Sequence, residues 1–485
     1  MKKIRATRLV SVMLCALLST TEPLSAADVQ SLSPADQTGS LHIRLSAPAA
    51  ACSVLSFKTA ESPAQERLRA SSGLGSLSAG IAGSFSFTGL DAPDNESSMF
   101  SFSFVPAAFL SLAGDHSAGS CSTVAIRECF VKFSSYAPVF SGAPLRYSFF
   151  IGRSATQPEG FEYLYGAEPL AFFGGESAMP EDRLSVSITR DALSVSAQVL
   201  PFAPDFFGSD PAGPLVDRRE VLDEFTTTGL LGTTYQLDSI GYNDESLKEF
   251  RAFSLDPSAA LRAAWKAHRY TLSASVYAGR DRQPAMLSRF LSLAAVSNTY
   301  KLEVQPAASR IIAFSAAAEF RSGVYSLSFV SSYIAGRTYA SSSLYDPIYW
   351  GVFIPAVSNG TVLSHGRLEL DPFRNGVLHL SGEWFHSLYP EDPGNMRYPF
   401  MHRYMRASAV VHLPRFAGLA VSGFCEYALS LADGSSLVSP AVRFLTATGA
   451  SAELRYTAPY GETDTELGQF AQNGTVWLSI LFRCP

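Results

Sequence analysis

Apolar and polar side chains alternate over stretches of about ten residues through the second half of the chain, a length that suits a strand crossing a membrane at a tilt. The clearest stretches form pairs around short turns, namely 261–266 with 270–278, 311–319 with 325–329, and 404–413 with 419–429. Successive side chains of a strand point to opposite faces of its sheet. The alternation therefore predicts antiparallel hairpins with one apolar and one polar face.

The connections between these strands alternate between short turns and long segments. Short turns fall near 190–192, 267–269, 321–323, 371–376, 414–418 and 446–449, and long connections near 154–182, 201–227, 341–361, 386–402 and 458–473. Short periplasmic turns and long extracellular loops are typical of outer-membrane barrels. We predict an all-β protein, a single transmembrane antiparallel β-barrel with an even number of roughly 16–22 strands. Its long loops, including 386–402 and 458–473, are expected to be surface-exposed.

Both ends of the chain carry targeting features. Lys2, Lys3 and Arg5 precede a short apolar stretch and the small residues Ser25-Ala26-Ala27, which predicts a signal peptide over 1–27 and a barrel over 28–485. The final strand places Val476, Leu478, Ile480 and Phe482 on one face. This strand resembles the C-terminal insertion signal of bacterial outer-membrane β-barrel proteins, Gram-negative or spirochaetal. The resemblance implies contact with the barrel-assembly machinery and a multi-pass location in outer-membrane lipid.

The composition agrees with a membrane barrel and narrows the function. The chain is 47% hydrophobic and only 16% charged, whereas a soluble domain has about a quarter charged residues. A large secreted β-sandwich or β-helix is the alternative, and it would normally have a more charged surface. No apolar run after the signal is long enough for a membrane helix. A net charge of −6 argues against nucleic acid as a partner.

Candidate chemistry is sparse. The sequence has no HExxH, GxSxG or Walker motif, so we expect no enzyme. The histidines have no convincing ligand spacing, and we predict neither a metal nor a cofactor. An odd number of cysteines remains after the signal, and Cys121 and Cys129 are close enough in sequence for a possible disulfide across a hairpin.

Charged residues with inward parity are the candidates for lining the pore. Charges that faced hydrocarbon would cost roughly 2–4 kcal/mol each at the midplane, so they are assigned to the lumen. They are Arg262, Lys266, His379, Glu383, Arg406, Glu426, Glu453 and Arg455. Their simplest role is to pair across neighbouring strands, and their functional role is to set the field of a pore.

Two long connections are candidates for controlling the lumen. Segment 154–182 is acidic and aromatic, and its constriction candidates are Glu159, Glu162, Tyr163, Tyr165 and Glu168; an exposed surface loop is the alternative. Segment 344–354 is strongly apolar, and its candidates for the outer leaflet or a hydrophobic ligand are Tyr345, Ile348, Tyr349, Trp350 and Phe353. The sequence favours a channel for small solutes or a hydrophobic ligand. The alternative is a barrel that acts as an adhesin or scaffold without transport. The oligomeric state is not determined by these patterns.

Overall fold

The computed structural model consists of β-strands joined by turns and connections. The strands are β1 (Leu41–Ser46), β2 (Ala49–Val54), β3 (Leu74–Ala79), β4 (Ile81–Phe87), β5 (Ser98–Ser111), β6 (Cys121–Ala137), β7 (Leu145–Ser154), β8 (Glu181–Arg190), β9 (Leu193–Phe202), β10 (Glu224–Thr226), β11 (Thr234–Tyr242), β12 (Leu255–Ala267), β13 (Tyr270–Arg280), β14 (Ala285–Ala294), β15 (Thr299–Ala307), β16 (Arg310–Arg321), β17 (Tyr325–Ala340), β18 (Ala356–Leu370), β19 (Leu378–Leu388), β20 (Arg403–His412), β21 (Leu419–Ser430), β22 (Ser436–Thr446), β23 (Ser451–Tyr460) and β24 (Thr475–Leu481).

Between the strands the structure also describes residues 144, 191–192, 268–269, 281, 296–298, 309, 322–324, 341, 371–373, 376–377, 389–390, 396, 398–399, 401–402, 413–415, 418, 431–435, 461–462 and 465–468. The predicted signal peptide lies outside these residues, as do Glu159, Glu162, Tyr163, Tyr165 and Glu168. The apolar-loop candidates Tyr345, Ile348, Tyr349, Trp350 and Phe353 also lie outside them.

Among the described residues, most of the strands form one 20-stranded sheet. Sixteen of them, β5–β9, β12–β13 and β16–β24, pair in chain order, each antiparallel to the next. At the other edge of β5, β4 and β3 pair with successive halves of the strand, and β1 and β2 pair with β4 and β3. Strand β2 also lies beside β24, so the two ends of the sheet approach each other. The predicted all-β, barrel-type architecture is confirmed.

A second sheet of four strands, β10-β11-β15-β14, was not predicted. Strands β10 and β11 belong to the connection from β9 to β12, and the β14–β15 hairpin belongs to the connection from β13 to β16. Strand β11 pairs in parallel with β15, from Gln236 opposite Thr299 to Tyr242 opposite Val304. The prediction of one purely antiparallel sheet is therefore incomplete, because two connections pair with each other beyond the barrel wall.

The two rims of the sheet differ as the sequence predicted. One rim, the short-turn rim, carries the tight connections 191–192, 268–269 and 322–324 together with 371–377, 413–418 and 447–450. The other, the long-connection rim, is where the strands that are joined by 155–180, 203–254, 281–309, 341–355, 389–402 and 461–474 end. The turn at 431–435 is the exception, because it is short and lies at the long-connection rim.

The long connections are not simply exposed. Met396, Met401 and His402 are buried, and so are Glu466 and Leu467, although the sequence placed them in surface loops. Met396 pairs with Ser341 in an isolated bridge, and its Sδ lies 3.8 Å from Nδ2 of Asn359. These side chains are therefore buried, and Met401 and Leu467 pack against side chains of the strands. Exposure of the loops at the cell surface stays a prediction.

The outer face of the sheet is apolar. Large exposed side chains alternate with inward residues on most strands and include Phe149, Val186, Val195, Leu261, Leu272, Phe314, Leu327, Trp384, Met405, Val442 and Leu454. Register extends this face to Leu378 and Leu380, which lie opposite Val411 and Ala409. A continuous apolar face of this kind is the lipid-facing surface of a membrane barrel.

The possible Cys121–Cys129 disulfide is wrong. Both residues belong to β6 and are eight positions apart on one extended strand, beyond the reach of a disulfide. The thiol of Cys129 is free and exposed, as is that of Cys425.

Candidate lumen site

The inward face of the same strands carries the charges. Between the rims, its described basic side chains are Lys132, Arg146, Arg183, Arg262, Lys266, Arg321, Arg367, Arg406, Arg443 and Arg455, and its carboxylates are Glu319, Glu369, Glu383, Glu426 and Glu453. Alternation along each strand accounts for this arrangement, since each of these residues follows the parity opposite to the exposed apolar side chains. The sheet therefore separates an apolar exterior from a charged interior.

The inner face of β12, β13 and β16–β18 forms a polar concavity near the short-turn rim. It has a volume of about 300 Å³ and is lined by Arg262, Thr271, Ser273, Ser275, Ser315, Glu319, Arg321, Ser326, Ser328, Arg367 and Glu369, with Ala317, Ala318 and Val330. The Nη2 of Arg367 lies 2.6 Å from Oε1 of Glu369, and Arg321 pairs with Glu319. Hydroxyls that both donate and accept hydrogen bonds make this surface suitable for water and polar solutes.

A connected polar network occupies the adjoining inner wall of β18–β21. The Oε1 of Glu383 is 2.8 Å from Nε2 of His365 and accepts a hydrogen bond of 2.8 Å from the Tyr404 hydroxyl. Arg406 lies between two carboxylates, with Nε 2.6 Å from Oε1 of Glu426 and Nη1 3.8 Å from Oε2 of Glu383. The network satisfies charges that would otherwise be costly in a partly desolvated wall.

A second ion-pair group lies nearer the short-turn rim on β22 and β23. Glu453 accepts hydrogen bonds from Nε of Arg443 at 2.8 Å and from Nη2 of Arg455 at 2.9 Å. The Arg455 guanidinium also lies over the Phe424 ring, 5.1 Å from its centroid. These contacts fix the positions of two cations and one carboxylate on the inner wall.

A row of serines runs around the inner wall at mid-height. Cross-strand register aligns Ser134, Ser148, Ser187 and Ser196 on β6–β9, then Arg262 on β12, then Ser275, Ser315 and Ser332 on β13, β16 and β17. The hydroxyl oxygens of Ser148 and Ser187 are 2.7 Å apart, as are those of Ser315 and Ser332. We call this set the serine row. Arg262 is the charged residue within it.

At the serine row, the inner face changes from polar side chains to buried, mainly apolar ones. Toward the long-connection rim, the next inward residues include Tyr277, Ala313 and Ile334, which are 2%, 1% and 0% exposed. They belong to a buried cluster with Leu200, Leu363, Phe385, Tyr404 and Leu437 and with Met401 and Leu467 from the long connections. A barrel of this many strands is too wide for its side chains alone to fill. Met401 and Leu467 therefore cover part of the inner wall at this level.

Residues 465–468 contribute to that covering through the buried carboxylate of Glu466. Its Oε1 accepts a 3.1 Å hydrogen bond from the Met401 amide and lies 3.3 Å from Nδ1 of His402. Its Oε2 accepts a 2.6 Å hydrogen bond from the Ser430 hydroxyl. The amide of Glu466 donates to Oδ2 of Asp433 at 2.6 Å. Burial raises the pKa of Asp433, but the hydrogen bonds that its carboxylate accepts from this amide and from the amide and hydroxyl of Ser435 together lower it by more, so the net shift is downward. The connection is thus fastened to the 431–435 turn.

The sequence-predicted lumen residues share the inward face but differ in their surroundings. Arg262 lines the polar concavity, and Glu383, Arg406, Glu453 and Arg455 belong to ion-pair networks. His379 lies on the same face, and Lys266 is exposed near the short-turn rim. Glu426 is the exception, because it faces inward but is 2% exposed beneath its ion pair with Arg406, so its side chain does not line an open surface.

Several inward residues were missed by sequence reasoning, among them Arg321, His365, Arg367, Tyr404 and Arg443. Each follows the inward parity of its strand, which was the available signal. His365 and Tyr404 contact Glu383, and Arg443 contacts Glu453, each across strands at sequence separations of 10 to 21 residues, so only cross-strand register reveals these networks. Arg321 and Arg367 pair within their own strands, with Glu319 and Glu369.

The described part of the chain contains no helix long and apolar enough to cross a membrane. Among the same residues, no group of three or more His, Cys, Asp or Glu side chains is arranged to hold a metal ion.

Comparisons with known proteins place the chain beside outer-membrane porins at low similarity. No family model and no curated protein matches the sequence. Among solved structures, it is similar to Salmonella typhi OmpF in complex with daunomycin (10% identity, 91% of this chain and 97% of that chain, TM-score 0.39). It is also similar to the outer-membrane channel DcaP of Acinetobacter baumannii (9%, 91% and 97%, TM-score 0.38) and to a mutant Rh. blastica porin (9%, 91% and 100%, TM-score 0.35). Identities and TM-scores this low carry no argument about function, which has to be inferred from the residues of this chain.

Proposed function

We propose that this protein is a channel of a bacterial outer membrane that passes small polar solutes. The observation that carries the proposal is the division of one sheet into two faces. Its outer face exposes Phe149, Leu261, Phe314 and Met405, and its inner face holds arginines, carboxylates and the serine row. The apolar outer face suits contact with lipid hydrocarbon, and the polar inner face suits a hydrated lumen.

The interior favours a restricted passage for polar solutes over a wide pore or a hydrophobic ligand. The concavity at the short-turn rim is lined mainly by hydroxyl and charged groups. The side chains of Tyr277, Ile334 and Phe385, toward the long-connection rim, are buried. We assign the long-connection rim to the outside of the cell. An incoming solute would then pass a constriction, to which we assign the acidic segment 154–182, before it reaches the polar concavity at the short-turn rim.

Planar-bilayer recording of the refolded full chain tests the proposal. Wild-type protein is expected to give reproducible single-channel steps in KCl, and deletion of 154–182 is expected to increase their size. Deletion of the exposed hairpin tip 296–298, which lies in the second sheet, is the matched control and should leave the steps unchanged. Absence of conductance from wild type and both deletions, together with no solute uptake into liposomes, would contradict a channel and favour an adhesin or scaffold.

A further inference from the structure

We infer that the polar concavity near the short-turn rim binds a neutral, polyhydroxylated solute of about the size of a monosaccharide. The role of such a site in transport rests on the proposed channel function, whereas binding can be measured without transport. The volume of the concavity, about 300 Å³, lies at the lower end of the range for small-molecule pockets, about 300–1,000 Å³. A hexose-sized solute therefore suits the concavity better than a larger ligand.

Four hydroxyl groups of the concavity are available to a solute. The residues that carry them are Thr271, Ser273, Ser275 and Ser328, all partly exposed. Within the described part of the chain, these hydroxyls make no hydrogen bond to the protein, whereas the Ser315 hydroxyl is engaged by Ser332. A hydroxyl both donates and accepts a hydrogen bond, as each hydroxyl of a sugar or polyol does. The set therefore matches a solute that presents several hydroxyls at once.

An apolar floor separates two polar parts of the concavity. Ala317 lies opposite Val330 in the pairing of β16 with β17, and Val330 is 6% exposed. On the same inward face of β16, Glu319 follows on one side of the floor and Ser315 on the other. A sugar ring carries C–H groups on its faces and hydroxyls around its edge. A ring that lies on the floor would therefore direct its hydroxyls to the polar groups on both sides, a combination of apolar contact and a few placed polar groups that is typical of ligand sites.

The charges of the concavity pair with one another, which favours a neutral solute. Arg321 pairs with Glu319, and Nη2 of Arg367 lies 2.6 Å from Oε1 of Glu369. Arg262, the third arginine of the lining, also has an interaction partner. A guanidinium has five N–H groups and a carboxylate about four lone-pair sites, so a paired residue keeps positions for further hydrogen bonds. These residues can therefore bond to a solute that brings no charge of its own.

Equilibrium binding to the refolded full chain tests the site directly. Saturation-transfer NMR in an amine-oxide detergent, which carries no sugar headgroup, is expected to show saturable binding of D-glucose, with a dissociation constant on the order of millimolar. Glycine, a zwitterion, and inorganic phosphate, an anion, should show no saturation over the same concentrations. This comparison of solutes needs only the wild-type protein.

The S273A/S328A double variant tests the hydroxyl contacts. Loss of two neutral hydrogen bonds is expected to raise the dissociation constant of D-glucose about tenfold. The matched control is S148A/S187A, which removes two inward serine hydroxyls that lie 2.7 Å apart on β7 and β8, outside the concavity. This control should keep the wild-type dissociation constant.

A second variant, A317L, tests the floor if the double variant fails to fold. The larger side chain covers the floor while the hydroxyls stay in place, so D-glucose binding should be lost. A wild-type dissociation constant in both S273A/S328A and A317L would place D-glucose elsewhere on the protein and overturn the site.

The site and the channel can fail separately. A wild-type protein that conducts in planar bilayers but shows no saturable D-glucose binding would overturn the site and leave the channel standing. A protein that binds D-glucose saturably but gives no conductance would support the site and contradict the channel. Tighter binding of glycine or phosphate than of D-glucose would overturn a neutral solute as the ligand.

Discussion

Arg337 forms a buried, two-point ion pair with Asp281, with Nε 2.9 Å from Oδ2 and Nη2 3.4 Å from Oδ1. Their side chains are 4% and 1% exposed. Asp281 directly follows β13, and Arg337 lies near the end of β17, so the pair joins two strands across β16 at the long-connection rim. The amide of Asp281 also donates to the Ser309 carbonyl at 2.9 Å, which fixes the base of the β14–β15 hairpin.

Removing one partner of this pair should destabilise the barrel strongly. R337M leaves the Asp281 carboxylate buried without its cation, at a cost of about 3–5 kcal/mol, and the R337M/D281L double variant should regain most of this. Urea unfolding in lipid vesicles, followed by tryptophan fluorescence, measures both. R310M is the control, because exposed Arg310 pairs with Asp256 at the surface, where such a pair contributes about 1 kcal/mol or less. Equal losses for R310M and R337M would contradict a special role for the buried pair.

A side chain at Gly152 should disrupt the pairing of β6 with β7. Gly152 has φ +127°, and a Cβ there would lie 2.1 Å from the Cys129 carbonyl oxygen. G152A is expected to cost about 1–3 kcal/mol, since neither the backbone angle nor the close contact tolerates it. G382A, where a Cβ meets nothing within 4 Å, is the matched control and should be neutral in the same unfolding assay.

The outward and inward faces can be checked by thiol labelling. In a background with every native cysteine replaced by serine, cysteines at Leu380 and Met405 should be shielded in lipid from a water-soluble maleimide. Cysteines at Ser381 and Ser408, whose hydroxyls are 2.7 Å apart on the inner face, should react through the hydrated lumen. The reverse pattern would show that the two faces are exchanged.

The orientation of the rims is accessible through epitope insertion. The turn 296–298 at the tip of the β14–β15 hairpin is exposed at the long-connection rim, so a tag there should be detected on intact cells. A tag at 268–269, on the short-turn rim, should be detected after permeabilisation alone. Detection of the second tag on intact cells would place the long connections in the periplasm.

Acid should loosen the 465–468 segment through Asp433. The folded-state pKa of Asp433 lies below the ordinary value of 3.8, so its stabilising contribution is complete above pH 3.8 and is lost as the pH falls through the folded pKa. A spin label at exposed Glu462 should therefore gain mobility below that range. D433N should show the mobile spectrum already at neutral pH. A D433N spectrum identical to wild type at pH 7 would show that the Glu466 amide contact does not fasten the segment.

Strand alternation was sufficient to assign faces but not partners. It assigns Arg262, Arg406 and Glu453 to the face opposite the exposed apolar side chains, as strand register does, because side-chain direction is a local property of a strand. The contacts of Glu383 with His365, Tyr404 and Arg406 depend on how three strands align with one another. Register of this kind is set by tertiary pairing, so it was not predictable from spacing along the chain.

Bulges account for the features that alternation missed. A register shift between Ile334 and Arg337, with Gly336 at φ +81°, makes both flanking side chains point inward. Strict alternation would have placed Arg337 outward. Another shift between Phe290 and Ser292 breaks the pattern of β14, and the hairpin it forms with β15 was therefore not recognised.

The parallel pairing of β11 with β15 sets an order of events during assembly. These two strands come from different connections, and the β12–β13 hairpin lies between them in the chain. Bringing them together closes a long loop, whereas β12 and β13 meet across the two-residue turn 268–269. Because the entropic cost of closure grows with loop length, the local hairpin is expected to form first and the second sheet afterwards. The four-stranded sheet is thus expected to form late, after β12 and β13, which lie between β11 and β15 in the chain, have already paired.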